Sequence, residues 1–270
     1  SGVPGIVTGL SITARLLSQP GDGILTLTPV YQPFLFLPKL AERRSVRVPL
    51  HADVTAQRWT IDWELLEAAL TPDVKIFWLC HPHNPTGKVF TREELLRIAD
   101  LCEKHGVTVV SDEIWDDLIL DGSNHIPFAS LDHPVARRSI TFVAASKTWN
   151  IAGLGCAAAI VPNKDLRHQW RQAGGGLVPM VNPLGYAASE AAWKDGDAWR
   201  QKLLNVLKYN KQCAVRAIQD IPGVSCIPPQ ATYLLWIDCN EWIARQPPDR
   251  NQPQHVCEEA GIGPSNGPEF

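Results

Sequence analysis

Short apolar segments alternate with longer amphipathic segments along most of the chain, and this alternation restricts its fold more than any other feature. Apart from its leading lysine, the segment KIFWLC (75–80) has no polar face, which is typical of a strand covered on both sides. The pattern predicts an α/β fold in which helices sandwich a mostly parallel sheet. The predicted strands are 24–28, 45–50, 75–80, 107–111, 139–145 and 156–161, and the predicted helices are 6–19, 33–42, 62–70, 91–106, 163–173, 182–194 and 197–219.

The pattern changes near residue 220, where the regular alternation ends. A proline-rich break follows the last long helix, and the next apolar segment, ATYLLWIDC (231–239), is predicted to be a strand. We therefore expect a large domain over 1–219 and the start of a smaller α+β domain over 220–270. The chain opens with SGVPG, its only methionine is Met180, and it stops in GIGPSNGPEF. We expect it to be a piece of a longer polypeptide, with the amino-terminal part of the large domain missing.

Composition argues against several classes of partner. With 25 basic and 28 acidic residues, the formal net charge of -3 gives no electrostatic footprint for nucleic acid or an anionic membrane. The longest nearly uninterrupted apolar stretch, 151–161, is too short to cross a bilayer. The seven cysteines show no CxxC spacing, which is typical of thiols in a reducing compartment. We expect a cytoplasmic protein with no nucleic-acid or membrane partner.

Four predicted strands are followed by residues that are unusual at a strand end. In chain order, these residues are Tyr31, Asn84, Asp112 and Lys147. In open α/β sheets, ligands bind outside the carboxyl ends of the strands. An aromatic ring, an amide, a carboxylate and an amine are therefore predicted to converge at one edge of the sheet.

These four groups together suit a pyridinium aldehyde cofactor. An amine forms a Schiff base with the aldehyde, and a carboxylate keeps the ring nitrogen protonated, so that the ring accepts electrons from a carbanion. The amide suits the phenolic oxygen, and the aromatic side chain suits the face of the ring. The amino end of helix 6–19 follows SGVPG and offers free backbone N–H groups to a phosphate.

Each candidate residue also has a structural explanation. A lysine at a strand end commonly extends to solvent, and the SDE sequence makes Asp112 a candidate helix N-cap. Asn84 precedes a proline, as turn residues often do, and Tyr31 lies near prolines where it could simply pack. His81 and His83 have no third ligand at a suitable spacing, so no metal site is predicted.

Six sequence blocks extend over essentially the whole chain. They are PHNPTGKVFTREEL, HGVTVVSDEI, HIPFASL, SKTWNIAGL, NPLGYAASEAAWKDGDAW and PQATYLLWID. In this order they resemble the blocks of pyridoxal-phosphate enzymes with the aminotransferase class I/II fold, which is fold type I. One block alone is weak evidence, whereas six in register are specific. The resemblance is strongest to the cystathionine β-lyase-like branch of C–S lyases, and it implies pyridoxal 5′-phosphate as the cofactor.

The resemblance implies a role for each strand-end residue. Lys147 corresponds to the Schiff-base lysine that also acts as the catalytic base, and Asp112 to the partner of the ring nitrogen. Asn84 matches the asparagine near the phenolic oxygen, and Tyr31 matches the aromatic residue that stacks on the ring. The further positions that match the cofactor-binding set are Ile6 and Val7, at the phosphate, together with Trp115 and Ser146.

The chain also departs from the family pattern. Trp115 stands where the family commonly has a tyrosine or histidine, and an indole N–H only donates hydrogen bonds. Ala144 occupies a position where some relatives have a phosphate-binding serine, and no arginine follows Lys147 in SKTWNIAGLGCAAA. Neither Arg245 nor Arg250 matches the motif of the family's substrate-carboxylate arginine, which is expected beyond Phe270.

The resemblance implies an enzyme that cleaves the C–S bond of sulfur amino acids, such as cystathionine or cysteine conjugates, to pyruvate, ammonia and a thiol. Its partner is then a small-molecule amino-acid substrate, and the full-length protein is expected to be a homodimer. An aminotransferase shares every site residue named above and is an alternative. A non-catalytic truncated paralogue or fragment is a third hypothesis, because the groups expected to grip the substrate lie largely outside this chain.

Overall fold

A computed structural model describes residues 1–176, 178–248 and 250–270. The strands are β1 (Gly2–Val3), β2 (Gly23–Thr28), β3 (Arg44–Asp53), β4 (Arg58–Ile61), β5 (Val74–Cys80), β6 (Thr108–Asp112), β7 (Ile140–Val143), β8 (Ala157–Ile160), β9 (Ser225–Cys226) and β10 (Ile237–Asp238). The helices are α1 (Ile6–Leu17), α2 (Pro33–Leu40), α3 (Trp63–Ala69), α4 (Arg92–His105), α5 (Pro134–Arg137), α6 (Lys164–Ala173), α7 (Pro183–Asp195), α8 (Asp197–Gln219), α9 (Asn240–Ala244) and α10 (Pro253–Glu259).

The main sheet has the strand order β1-β8-β7-β6-β5-β2-β3-β4. The pairs from β7 through β6, β5 and β2 to β3 are parallel, whereas β1–β8, β8–β7 and β3–β4 are antiparallel. Parallel neighbours need crossover connections, and helices supply them here. The predicted α/β fold with a mostly parallel sheet is confirmed, and the carboxyl ends of five parallel strands share one edge.

Apolar side chains cover both faces of the sheet. Along β5, Phe77 and Leu79 belong to a core cluster shared with α3, α4 and α5. Ile76, Trp78 and Cys80 belong to a second cluster shared with α1, α2 and α6. Successive side chains of a strand point to opposite faces, so a strand between two helical layers needs apolar residues at nearly every position.

Local capping sets the ends of α4, the helix that leads into β6. Thr91 Oγ1 accepts a hydrogen bond from Glu94 N at 3.2 Å, and the Glu94 carboxylate accepts one from Thr91 N at 2.9 Å. This reciprocal pair satisfies two N–H groups at the helix start. Gly106 follows the helix with a φ of 67°, a left-handed conformation that favours glycine. The chain can therefore turn at once into β6.

The predicted strand 231–239 is wrong over most of its length. Among the described residues, the one strand there is β10, which pairs with β9 in a separate two-stranded sheet, and Ala231 forms an isolated antiparallel bridge with Ile119. The N–H groups of Gln230 and Ala231 both donate to Gly87 O at 3.0 Å. Thr232 has a φ of 72°, and this left-handed conformation interrupts an extended run. The segment therefore packs on the turn after β5, and the domain boundary near residue 220 stays a prediction.

Strands β1 and β4 were absent from the sequence prediction. β4 pairs with the end of β3 in a hairpin, with Leu50 opposite Ile61, and its sequence RWTI alternates in burial over only four residues. β1 has two residues and lies at the sheet edge. Such short segments carry too little periodicity to be recognised.

Two further properties concern membrane-spanning helices and the state of the cysteines. Within the described ranges, no helix combines the length and the apolar character needed to cross a membrane. All seven cysteines are free thiols. Cys80 and Cys102 are buried in the core clusters.

Candidate active site

The candidate site lies at the carboxyl ends of β2, β5, β6 and β7, which are neighbours in the sheet. Backbone hydrogen bonds join the carboxyl end of β6 to both neighbouring segments. His81 N donates to Asp112 O at 2.8 Å on one side. Glu113 N donates to Phe142 O at 2.8 Å on the other. The chain segments that follow β5, β6 and β7 therefore begin side by side at the same edge of the sheet.

Asp112 ends β6 and is buried, with 4% of its surface exposed. Its Oδ1 accepts a hydrogen bond from Ile114 N at 3.2 Å. Burial raises the pKa of Asp112 to about 7; the Ile114 N–H and the Lys147 ammonium oppose this rise, and the Glu113 charge adds to it. Since burial disfavours the charged form, a cation opposite the carboxyl would restore its ionisation.

Tyr31 and Asn84 lie on neighbouring turns at this edge. Tyr31 N donates to Asn84 O at 3.0 Å. Burial, and then the charge of Asp112, raises the pKa of Tyr31. Asn84 is buried, and its Oδ1 has no hydrogen-bond partner among the described residues. Buried polar atoms are nearly always paired in native structures, so this amide is suited to a ligand.

Lys147 lies in a turn four residues past the end of β7. The turn is closed by a hydrogen bond from Trp149 N to Ala145 O at 3.0 Å. Trp149 Nε1 donates to Gly196 O at 3.1 Å, which ties the turn to the junction of α7 and α8. The Lys147 side chain is half-buried, and its charge acts on the carboxyl that ends β6. The turn thus holds the amine at the same edge as the carboxyl.

Trp115 lies beside this amine. The residue is 2% exposed, and Lys147 Nζ lies 5.5 Å from the centroid of its ring. The ring of Tyr233 meets Trp115 edge-on, with centroids 4.7 Å apart and planes at 75°. Tyr233 comes from the segment that packs on the turn after β5. The residue that departs from the family pattern therefore places an aromatic face near the amine.

The first turn of α1, which contains Ile6 and Val7, lies close to the segment after the lysine turn. An added Cβ on Gly155 would lie 3.1 Å from Pro4 O, so the two segments are in close contact. The helix begins after Gly5 without a side-chain cap and without an acidic residue in its first turn. Its first N–H groups lack intrahelical partners and suit an anion.

The two positions that flank Ala145 differ in what they offer a phosphate. Ser146 is half-buried beside Lys147, and its carbonyl accepts a hydrogen bond from Ile151 N at 3.1 Å. Its role in cofactor binding stays a prediction. Ala144 is buried and carries only a methyl group, so a phosphate would depend on backbone groups at this point.

Three of the four ring nitrogens of His81 and His83 face backbone carbonyls, and His81 Nδ1 has no hydrogen-bond partner among the described residues. His83 Nδ1 faces Cys80 O at 3.1 Å, and its Nε2 faces Pro29 O at 2.8 Å. His81 Nε2 faces Ile126 O at 3.1 Å. Burial lowers the pKa of both imidazoles, that of His83 to about 4. Both rings therefore behave as neutral groups that hold the turn after β5.

Sequence reasoning missed Glu113, which follows Asp112 and is 1% exposed. Its Oε1 accepts hydrogen bonds from Ser111 Oγ at 2.8 Å and Phe128 N at 2.9 Å. Its Oε2 lies 3.0 Å from His125 Nε2. The spacing of Ser111 and Glu113 around Asp112 was a usable signal, because residues two apart in a strand share a face. His125 carried no such signal.

An amine, a buried carboxyl, an amide and an aromatic ring at the carboxyl edge of a helix-covered parallel sheet define a class of protein. They are the features of the large domain of pyridoxal-phosphate-dependent proteins of fold type I. The chain belongs to the family described as aminotransferase class I and II, whose model matches residues 2–258.

Relatives with known names support this assignment. The chain is 40% identical over 242 residues to cystathionine beta-lyase PatB of Bacillus subtilis (strain 168), a match that covers 87% of this chain and 61% of PatB. It superimposes on the crystal structure of OvoB with a TM-score of 0.93 and 37% identity, covering 100% of this chain and 69% of OvoB. Cystalysin from Treponema denticola, described as containing pyridoxal 5′-phosphate, superimposes with a TM-score of 0.90 and 32% identity, covering 97% of this chain and 66% of cystalysin. The chain thus spans only 61% of the PatB length.

Proposed function

We propose that this chain is the larger part of a pyridoxal-phosphate-dependent lyase that cleaves the C–S bond of sulfur amino acids, such as cystathionine and cysteine conjugates. The observation that carries the proposal is the placement of Lys147 and Asp112 at one sheet edge, where the ammonium charge acts on the buried carboxyl. The similarity to PatB supports lyase chemistry over transamination, which the same residues would also serve.

The residues at this edge fit the cofactor. Asp112 would pair with the ring nitrogen, which supplies the cation favoured by a buried carboxyl whose pKa is about 7. Asn84, with its unpartnered Oδ1, would lie at the phenolic oxygen. Tyr31 would stack on the ring. The first-turn N–H groups at Ile6 and Val7 would bind the phosphate.

When bound, the cofactor supplies an electron sink for negative charge at the substrate's α carbon. Lys147 Nζ, as a free amine, removes the proton from that carbon. The Cβ–S bond then breaks, the sulfur leaves with the electron pair, and the Lys147 ammonium would return a proton to the thiolate. Hydrolysis of the remaining aminoacrylate gives pyruvate and ammonia. The buried ring of Trp115 limits access of water to one side of the amine.

Three wider properties belong to the same proposal. A large domain over 1–219 and a partial smaller domain over 220–270 agree with the end of α8 at Gln219 and with the separate two-stranded sheet beyond it. The half-exposed aromatic rings of Tyr186 and Trp193 on α7 support a homodimer in the full-length protein. The free thiols support a cytoplasmic location.

The test is release of pyruvate from cystathionine by the full-length protein without an added keto acid. Lys147→Ala should lower the rate by at least about 100-fold, because it removes the general base. Lys164→Ala is the matched control, since this lysine is exposed at the start of α6. Strict dependence on a keto acid would assign an aminotransferase instead. Failure of the wild-type protein to bind the cofactor would favour a non-catalytic paralogue.

A further inference from the structure

The carboxylate of Glu113 is fixed by three donors from two parts of the chain. Ser111 Oγ lies 2.8 Å from Oε1 and comes from the same strand end. Phe128 N, at 2.9 Å from Oε1, and His125 Nε2, at 3.0 Å from Oε2, come from the segment 125–128. The carboxylate therefore joins the end of β6 to this segment, which we call the 125–128 strap.

The direction of Asp112 depends on this junction. Side chains alternate between the two faces of a strand, so Ser111 and Glu113 lie on one face and Asp112 on the other. The only hydrogen bond to the Asp112 carboxyl among the described residues comes from Ile114 N, at 3.2 Å. The Asp112 carboxyl thus has one hydrogen bond, whereas the Glu113 carboxylate on the opposite face of the same strand end has three.

The neighbouring strand end is tied to the same strap. His81 Nε2 lies 3.1 Å from Ile126 O. The rings of His81 and His125 lie against each other, with centroids 4.4 Å apart and planes at 35°. The backbone N–H of His81 also donates to Asp112 O at 2.8 Å. The strap therefore holds β5 and β6 in one arrangement directly behind the candidate site.

Burial of a carboxylate here is costly for stability alone. Removing an ion from water costs several kcal/mol even after relaxation, and a well-packed apolar residue of similar volume is often as stabilising. Glu113 is nevertheless 1% exposed, and its carboxylate accepts hydrogen bonds from all three donors. A polar anchor gives one orientation of the strand end, which apolar packing specifies less sharply.

We propose that Glu113 and His125 are positioning residues that hold the Asp112 carboxyl in the direction needed to meet the ring nitrogen of the cofactor. The proposal rests on the proposed function for the identity of the cofactor. The direction of the carboxyl itself is a property of the protein without cofactor, and it can be measured there.

The experiment compares graded variants of the full-length protein. Glu113→Gln keeps the shape and one acceptor oxygen, whereas Glu113→Leu removes every hydrogen bond. His125→Gln retains a side-chain donor, whereas His125→Ala does not. The control is Glu94→Gln, which removes the negative charge of another ion pair, between the partly buried Glu94 and Lys88 at 2.7 Å. For each protein, kcat, KM, the visible absorption of the bound cofactor and the Ile114 amide resonance without cofactor are measured.

We expect Glu113→Leu and His125→Ala to lower kcat by about tenfold or more, the range for residues that orient a ligand through another group. Their cofactor absorption and Ile114 resonance should shift, and His125→Gln should restore most of the loss. Glu94→Gln should lose stability without these changes. If Glu113→Leu does not fold, the same measurements on Glu113→Gln and His125→Ala test the positioning role.

The proposal is overturned if the site variants match Glu94→Gln, losing stability while their Ile114 resonance and absorption stay at wild-type values. If the wild-type protein lacks lyase activity, the proposed function fails, yet the Ile114 resonance still reports whether the strap orients Asp112. The two failures are thus distinguishable.

Discussion

Lys147 Nζ lies 5.5 Å from the centroid of the Trp115 ring, so the amine at the candidate site faces an aromatic surface. The electron-rich face of an indole attracts a cation without accepting a conventional hydrogen bond. The family resemblance led us to expect a tyrosine or histidine at this position. Trp115 instead offers the amine the face of an indole ring, and the ring of Tyr233 meets this indole edge-on, with centroids 4.7 Å apart.

Two replacements of Trp115 should distinguish the effect of its aromatic face on cofactor binding from the effect of its volume. We expect Trp115→Phe to retain most of the cofactor affinity, because an aromatic face remains. Trp115→Leu should weaken cofactor binding by about fivefold, equivalent to about 1 kcal/mol of cation–π attraction. The measurement is a spectrophotometric titration with pyridoxal phosphate. Equal affinities for the two variants would show that the aromatic face has no part in holding the amine.

Gly87 and Gly106 form a matched pair that tests the packing of the 229–231 segment on the turn after β5. Both have left-handed backbones, with φ of 71° and 67°. A Cβ on Gly87 would meet Pro229 and come within 2.8 Å of Ala231 O, whereas one on Gly106 would meet nothing within 4 Å.

Alanine at Gly106 should therefore cost about 1–2 kcal/mol of unfolding free energy from backbone strain alone. Alanine at Gly87 should cost about 1–3 kcal/mol more, because overpacking is added to the strain. Denaturant unfolding measures both values. Similar losses at the two positions would contradict the packing described for the segment.

The buried Asp112 predicts an unusual dependence of stability on pH. Burial raises its pKa from 3.8 to about 7, so the folded protein without cofactor holds a proton that the unfolded chain has released. Its contribution to unfolding free energy is therefore complete below pH 4 and is lost as the pH rises towards 7. Asp112→Asn should be more stable than wild type at pH 8, by at most about 4 kcal/mol, and this advantage should vanish near pH 4.

Asp116→Asn is the control for this pH effect. Burial, followed by the Asp117 charge, raises the pKa of Asp116 to about 7 as well. Its removal should stabilise the protein at pH 8 in the same direction and leave cofactor affinity unchanged, whereas Asp112→Asn should weaken cofactor binding. A loss of affinity in both variants would argue against a specific pairing of Asp112 with the ring nitrogen.

Much of the fold follows from local patterns. Residues 76–80 are buried on both faces of the sheet, and this apolar run predicts a central strand correctly. Parallel strands place their carboxyl ends at one edge, so the sequence alone predicts that Asn84, Asp112 and Lys147 lie close together. Their chemical roles were predicted from their functional groups and from the resemblance of the sequence blocks, and they are still proposals.

The failures arise where distant contacts override local pattern. The segment 231–239 has the apolar composition of a strand. However, the N–H groups of Ala231 and of the preceding Gln230 bond to Gly87 O, and the left-handed conformation of Thr232 interrupts the extended backbone. His125 lies twelve residues after Glu113, in an irregular segment, and their contact depends on how that segment folds back. Neither the hydrogen bonds to Gly87 nor the contact between Glu113 and His125 produces a periodic pattern in the sequence.

The central claim is that Lys147 is the amine that bonds the aldehyde of the cofactor. The direct measurement is incubation of the full-length protein with pyridoxal phosphate, reduction with borohydride, proteolysis and mass spectrometry of the peptides. We predict that the reduced cofactor is attached to the peptide SKTWN at Lys147, and that Lys147→Ala leaves no labelled peptide. Labelling of a different lysine, or of several surface lysines at equal levels, would contradict the account.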